Sequence, residues 1–219
     1  MPDLKKNIII FGANSFIARS FISDYSETYS ICPVYRNKEN SLNLDFNEPV
    51  DLNKFSTQIN FKIDGVLFLQ GINPSMGAKE ITEEHFLKMM KVNLSTPTLI
   101  LASLQEKLAA NCLVLLISSV AKRKGSYDPS YAAAKSGLTG LMHSLANAYT
   151  SQRFNIISLG LVEGSPVYEG MTEDFRLKHA SRMQNGAFIK VGNITRVIDM
   201  LINNNNINRS EIAIDGGFQ

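Results

Sequence analysis

Five consecutive apolar residues, Leu113-Val114-Leu115-Leu116-Ile117, constrain this chain more than any other feature. Side chains along a strand alternate between faces, so a strand with no polar alternate must be covered on both. The run is far too short to cross a membrane. It belongs in the interior of a sheet with helices packed above and below. Comparable short runs recur along the chain: Asn7–Phe11, Tyr29–Val34, Asp64–Leu69, Cys112–Ser118, Asn155–Leu159 and Glu211–Asp215, with a weaker one at Ser41–Leu44. Between them lie helix-length amphipathic stretches at Ser15–Ser26, Thr82–Lys107, Ser130–Thr150 and Ile194–Ile202. That alternation predicts an α/β fold, a doubly wound parallel sheet in three layers.

Such a Rossmann-type sheet fits 219 residues as a single domain spanning 1–219, since no repeat, linker or shift of composition divides the chain. One segment stands apart. Residues 164–188 are polar and irregular, with no strand pattern. A formal charge of +2 gives no electrostatic reason to expect a nucleic-acid partner. With no apolar run of membrane-span length and no signal-peptide pattern, a cytoplasmic protein is expected. Cys32 and Cys112 both fall in apolar runs and read as buried thiols in a reducing compartment, with no metal site.

The first strand runs into Phe11-Gly12-Ala13-Asn14-Ser15-Phe16-Ile17-Ala18, and a helix follows. A small-residue turn there lets backbone N–H groups and the positive end of a helix meet a pyrophosphate. About twenty residues on, such folds often place an acid that holds the adenosine ribose; here the sequence is Val34-Tyr35-Arg36-Asn37-Lys38. A carboxylate would repel a 2′-phosphate, whereas the Arg36 guanidinium can grip one with two parallel hydrogen bonds. NADP(H) is therefore expected over NAD(H).

The second informative stretch is Leu116-Ile117-Ser118-Ser119-Val120, followed by Ser130-Tyr131-Ala132-Ala133-Ala134-Lys135-Ser136-Gly137. Tyr131 and Lys135 are four apart and share one face of a helix. An ammonium close to a phenol favours the phenolate, which suits the phenol to pass a proton to or from a substrate oxygen. A strand-end serine can hydrogen-bond the same oxygen. The spacing alone is a weak signal. The order is stronger: glycine turn, strand-end serines, then a tyrosine and lysine opening a long helix.

In that order the chain resembles, over nearly its whole length, the single-domain short-chain dehydrogenases/reductases. Leu116–Val120 is similar to that family's active-site serine segment, and Tyr131 to Leu138 to its catalytic helix. Lys91-Val92-Asn93-Leu94 resembles the segment bearing its helix asparagine, Leu44-Asp45-Phe46 the segment beside the adenine, and Asn155 to Gly160 the strand leading to the nicotinamide. Ile214-Asp215-Gly216-Gly217 resembles its C-terminal motif. The resemblance implies that Tyr131 is the acid/base and that Lys135 both tunes it and holds the nicotinamide ribose. Ser119 would orient the substrate oxygen, and Asn93 would anchor a water of the proton relay. Cofactor contacts would come from Gly12, Asn14, Ser15, Phe16, Ile17, Arg36, Asp45, Phe46, Gln70, Gly71 and Val162, together with Tyr131 and Lys135.

There are departures. Phe68-Leu69-Gln70-Gly71 stands where the family has Asn-Asn-Ala-Gly, and Leu159 where it has a proline before Gly160. Gly164 takes the place of a threonine, with Ser165 as a substitute for it. In the glycine turn, Phe16-Ile17 looks like the sugar-nucleotide-modifying branch, with Ser15 and Ala18 where that branch has glycines. Ser119 is one residue nearer to Tyr131 than in the commonest form, which keeps Ser118 as its alternative. The expected function is hydride transfer between NADP(H) and a small-molecule carbonyl or secondary alcohol; the other reading is a cofactor-binding sensor or structural subunit with little turnover. Lys122-Arg123-Lys124, just after Ser119, suggests an anionic substrate, a 3-oxoacyl thioester or a sugar derivative. Apolar residues Leu138, Leu141, Met142 and Leu145 suggest a second sticky face on the catalytic helix, hence a homodimer or homotetramer.

Overall fold

A computed structural model describes residues 5–48, 51–184 and 186–218. Seven strands form one parallel sheet: β1 (Asn7–Phe11), β2 (Ser30–Tyr35), β3 (Leu42–Asn43), β4 (Ile63–Phe68), β5 (Leu108–Ser119), β6 (Arg153–Leu159) and β7 (Ser210–Ile214). Their spatial order is β3-β2-β1-β4-β5-β6-β7. The winding reverses between β1 and β4, and a doubly wound sheet opens a crevice at the carboxyl ends of the strands there.

Two apolar layers explain the strand sequences. On β1, Ile9 and Phe11 enter one core and Ile8 and Ile10 the other. On β5, Cys112, Val114 and Leu116 face the first core, and Leu113 and Leu115 the second. The first core is closed by α2 (Leu52–Thr57), α4 (Thr96–Leu104) and α6 (Pro129–Ala148); the second by α1 (Phe16–Tyr25) and α9 (Val191–Asn203). Among the described residues no helix is long and apolar enough to cross a membrane.

Four sequence expectations need correction. The stretch 82–107 is not one helix: α3 (Glu83–Met90) passes into a π-turn at Lys91–Ser95, then α4, then a 3₁₀ turn at Gln105–Lys107. Pro97 has no N–H to give the Asn93 carbonyl four residues back, and the wider turn, with Thr96 N–H reaching the Lys91 carbonyl, absorbs that misfit. Residues 164–188 are not irregular throughout, since α7 (Pro166–Glu169) and α8 (Glu173–Ala180) lie within them. Third, the presumed second apolar face of α6 is largely absent. Leu138, Met142 and Leu145 are buried in the first core and Leu141 packs against it, while the apolar residues left outside on neighbouring helices are Phe86, Leu87 and Leu99.

The fourth concerns charge. Lys122 and Arg123 lie on the short α5 (Ala121–Lys124) and pair with Glu211 and Asp215. Lys122 also donates to Thr139 Oγ1 at 3.1 Å. Two of the three cations are thus neutralised within the fold, which removes the physical basis for reading this loop as an anion funnel.

Candidate active site

Gly12 closes the turn after β1 with φ +78°, a left-handed angle that suits glycine. A Cβ there would lie 2.6 Å from the backbone of Gln70, so the turn presses against the end of β4 with no room for a side chain. Ser15 caps α1 by accepting from Ala18 N–H at 3.2 Å. Beside this turn runs a cleft of ≈ 250 Å³ lined by Gly12, Asn14, Ser15, Arg36, Asp45, Phe46, Gln70 and Gly71, with Leu44, Asn47, Ile72 and Val92. Eight of the expected cofactor residues therefore share one crevice at the switch point. Arg36 is exposed and reaches it with no acid paired to it among the described residues. The Asp45 carboxylate is turned to its own loop, accepting from Asn47 N–H and Nδ2 at 2.9 and 2.8 Å.

Phe16, Ile17 and Val162 do not line the cleft. Phe16 and Ile17 pack against the second core, Phe16 with its ring beside Gly164, and Val162 is buried in a bridge with Ile189.

Of the other four expected residues, Asn93 and Lys135 approach the cleft at Gly71. A Cβ at Gly71 would be 3.2 Å from Asn93 Oδ1 and 3.7 Å from Lys135 Nζ, so the backbone passes closely beneath both. The π-turn aims the Asn93 amide at the loop after β4, where it accepts from Ile72 N–H at 3.2 Å and donates to the Ile72 carbonyl at 3.1 Å, and it also donates to the Met89 carbonyl on α3 at 3.2 Å. Lys135 Nζ lies 5.7 Å from the centre of the Tyr131 ring and donates to the Ile117 carbonyl at 2.9 Å. The two serines separate cleanly. Ser118 is buried and donates to the Lys135 carbonyl at 3.0 Å, tying β5 to α6. Ser119 Oγ accepts from Ala121 N–H at 3.2 Å and lies close enough to the Tyr131 phenol to act on its pKa. Ser119, not its neighbour, shares the phenol's space.

Burial dominates the electrostatics. It pushes the Tyr131 phenol above its ordinary value, against the opposing influence of the Ser119 hydroxyl. It brings the buried Lys135 ammonium down to about 8. Lysine thus gives up its proton before the phenol does, and the protein matrix by itself makes no phenolate at neutral pH.

Residues 36–219 match a short-chain dehydrogenase family model described as enoyl-(acyl carrier protein) reductase. The chain belongs to the short-chain dehydrogenase/reductase family. It is an oxidoreductase of that family. Among solved structures, a short-chain dehydrogenase/reductase titled glucose/ribitol dehydrogenase from Brucella melitensis superposes with TM-score 0.89 at 16% identity, over 97% of this chain and 96% of that one. One from Serratia marcescens gives 0.87 at 18%, over 100% and 99%. A small-chain dehydrogenase in complex with NADPH gives 0.85 at 19%, over 98% of each chain. At such identities the likeness is one of fold. No curated protein matches the sequence.

Two groups in this short-chain dehydrogenase/reductase went unnoticed in the sequence. Asp128 caps α6, and His85 on α3 meets its carboxylate at 2.6 Å. The pattern Asp128-Pro129 before a helix is a recognisable start signal, but nothing in the sequence joins it to a histidine 43 positions earlier.

Proposed function

We propose that this chain transfers hydride between NADP(H) and a carbonyl or secondary alcohol of a small molecule, with Tyr131 as acid/base. The observation that carries the reading is the close approach of Asn93 and Lys135 to Gly71, which lines the crevice, with the Tyr131 ring beside the Lys135 ammonium. The crevice fits a dinucleotide. The turn at Gly12 and Ser15 brings the start of α1 to the crevice, and the buried Gln70 Oε1 has no partner among the described residues. Gly12, Asn14 and Ser15 would meet the pyrophosphate, and Arg36 the 2′-phosphate. Asp45, Phe46, Gln70 and Gly71 would flank the adenosine. Phe16, Ile17 and Val162 would contact the cofactor only from outside the crevice as it stands. The bound cofactor supplies or accepts the hydride.

The protein manages the proton. Ser119 holds the substrate oxygen by a hydrogen bond, and Tyr131 gives that oxygen a proton in reduction or takes one in oxidation. Lys135, with a pKa of about 8, keeps most of its charge at pH 7, enough to favour the developing phenolate and to hold ribose hydroxyls. The Asn93 carbonyl, which Pro97 cannot serve, is an acceptor for a relay water. Residues 164–188 form the lid of a single domain spanning 1–219, and the thiols of Cys32 and Cys112 are free, in keeping with a reducing cytoplasm.

The test is NADPH oxidation followed at 340 nm across a panel of carbonyl compounds, with Tyr131→Phe as control. Tyr131→Phe should lose at least about 100-fold in turnover while cofactor affinity stays within about twofold. Tight cofactor binding with no turnover on any carbonyl or alcohol would favour a sensor instead.

A further inference from the structure

Asp128 is wholly buried, yet its carboxylate is surrounded by donors from three parts of the fold. Oδ1 accepts from the N–H groups of Ser130 and Tyr131 at 2.9 and 3.2 Å and from the Ser130 hydroxyl. Oδ2 accepts from Met76 N–H at 3.2 Å and faces His85 Nε2 at 2.6 Å. Burial alone would raise this carboxyl; the bonds from Ser130, His85, Met76 and Tyr131 outweigh it and hold the group at about 2. It is therefore ionised at any working pH, and the imidazole must turn an N–H toward it.

The partners are well placed. Tyr131 N–H belongs to the catalytic tyrosine itself. Met76 lies in the loop after β4, five residues beyond Gly71, and the same loop is gripped at Ile72 by Asn93. Beside Met76, Gly77 lies against Tyr127, where a Cβ would come within 2.7 Å of the hydroxyl. His85 sits on α3, the helix that runs on into the π-turn holding Asn93, and Thr82 Oγ1 caps it at His85 N–H. One carboxylate thus ties the start of the Tyr131 helix, the helix leading to Asn93 and the loop that borders the cleft.

We infer that the buried His85–Asp128 pair is a positioning device for Tyr131, which sets the first turn of α6 so that the phenol stays beside Ser119. It rests on the oxidoreductase reading only for its effect on turnover. The pair makes no contact with reacting atoms and acts through the tyrosine. Misplacing a reacting group by about 1 Å can cost about 100-fold in rate, so a small shift of this turn would be felt.

The experiment compares wild type with His85→Leu, His85→Gln and Asp128→Ser. Leucine removes the donor, glutamine can still offer an amide N–H to the carboxylate, and serine keeps a capping oxygen but loses the bridge to His85 and Met76. Tyrosine labelled with ¹³C at Cζ gives a direct reading of the phenol, its signal assigned by its absence in Tyr131→Phe. At pH 7, His85→Leu and Asp128→Ser should shift or broaden that one signal, and His85→Gln should restore it. For turnover, kcat should fall about 10- to 100-fold in the first two with the NADPH Kd within about twofold, and recover in His85→Gln. If folded His85→Leu and Asp128→Ser leave the Tyr131 signal unchanged and lose only thermal stability, the pair is a structural brace and the proposal is overturned. Should the wild type turn over no carbonyl compound, the oxidoreductase reading fails, while the Tyr131 signal still decides whether the pair positions the phenol.

Discussion

Replacing Lys135 by methionine is expected to strengthen the fold at pH 7 while it destroys the chemistry. The ammonium is buried, and burial brings it from the ordinary 10.5 to about 8. At 1.36 kcal/mol per unit, that difference is a penalty of roughly 3 kcal/mol on the charged form in the folded state. Its pH dependence has a definite sign. Below pH 8 the amine is charged in both states, and the folded state carries the whole penalty. Between about 8 and 10.5 the unfolded chain binds more protons, so wild-type stability rises with pH, and above 10.5 the penalty is gone. Methionine fills similar space without charge, but leaves the Ile117 carbonyl without its 2.9 Å donor, a loss of about 1 kcal/mol. The net gain at pH 7 is about 2 kcal/mol, or about 4–8 °C in Tm for a chain of this size. Urea unfolding of both proteins from pH 6 to 10, with m-values compared, measures it. The advantage of the variant should shrink steadily above pH 8. A variant less stable than wild type at pH 7, by an amount independent of pH, would refute the claim that Lys135 is held charged against its environment.

Arg36→Ala should reduce the preference for NADP(H) over NAD(H) by about 10- to 100-fold, the loss of a charge-assisted contact, with NAD(H) affinity little changed. Calorimetric titration of both cofactors measures this, and tighter binding of NAD(H) by the wild type would reverse the assignment. Leu99, which is 55% exposed on α4, and the exposed Phe86 and Leu87 on α3 are expected to be covered in a homodimer or homotetramer. Light scattering at micromolar concentration should give a multiple of the 24.3 kDa chain, and Leu99→Glu should lower it; a monomeric wild type would end the idea.

The sheet was legible because its strands are apolar on both faces: β1 was bounded correctly, and β2, β4 and β7 to within a residue. β5 begins four residues earlier than its apolar run because Leu108 pairs with Ile63 across a register shift, a tertiary contact with no local mark. The π-turn was hidden for a related reason. Pro97 could have warned of it, but a proline in the first turn of a helix reads equally well as a new start. Helix α8 was missed although Thr172, Glu173 and Asp174 begin it and Lys178 and His179 end it, a pattern of capping and dipole charge. Its low apolar content concealed it. At the candidate site, motif order singles out Ser119, Tyr131, Lys135 and Asn93, and the structure brings Asn93 and Lys135 to Gly71 and Lys135 to the Tyr131 ring. The His85–Asp128 pair, joining residues 43 apart, has no periodicity or motif to betray it.

Charge on the loop after Ser119 is where sequence and structure part furthest, and it yields a prediction opposite in kind to substrate steering. Ser119 Oγ is fixed by Ala121 N–H, and α5 leaves directly from there. Lys122 and Arg123 then fasten that helix to β7 and the turn after it through Glu211 and Asp215. The Lys122 pair is the more enclosed, with side chains 15% and 21% exposed, whereas Arg123 is 48% exposed. Breaking a fully buried pair costs about 3–5 kcal/mol and an exposed one about 0–1 kcal/mol. Lys122→Gln should therefore lower stability by about 1–2 kcal/mol, Arg123→Gln by less, and Lys124→Gln hardly at all. In a double-mutant cycle, Lys122→Gln and Glu211→Gln should be coupled, since each alone strands its partner. Because the anchored helix holds the exit from Ser119, Lys122→Gln should also reduce kcat equally for neutral and anionic carbonyl substrates, independently of salt. Long-range steering predicts the reverse: a loss confined to anionic substrates, large at low ionic strength and vanishing as salt rises, with an unchanged urea midpoint. That second pattern would mean that these cations serve the substrate and not the fold.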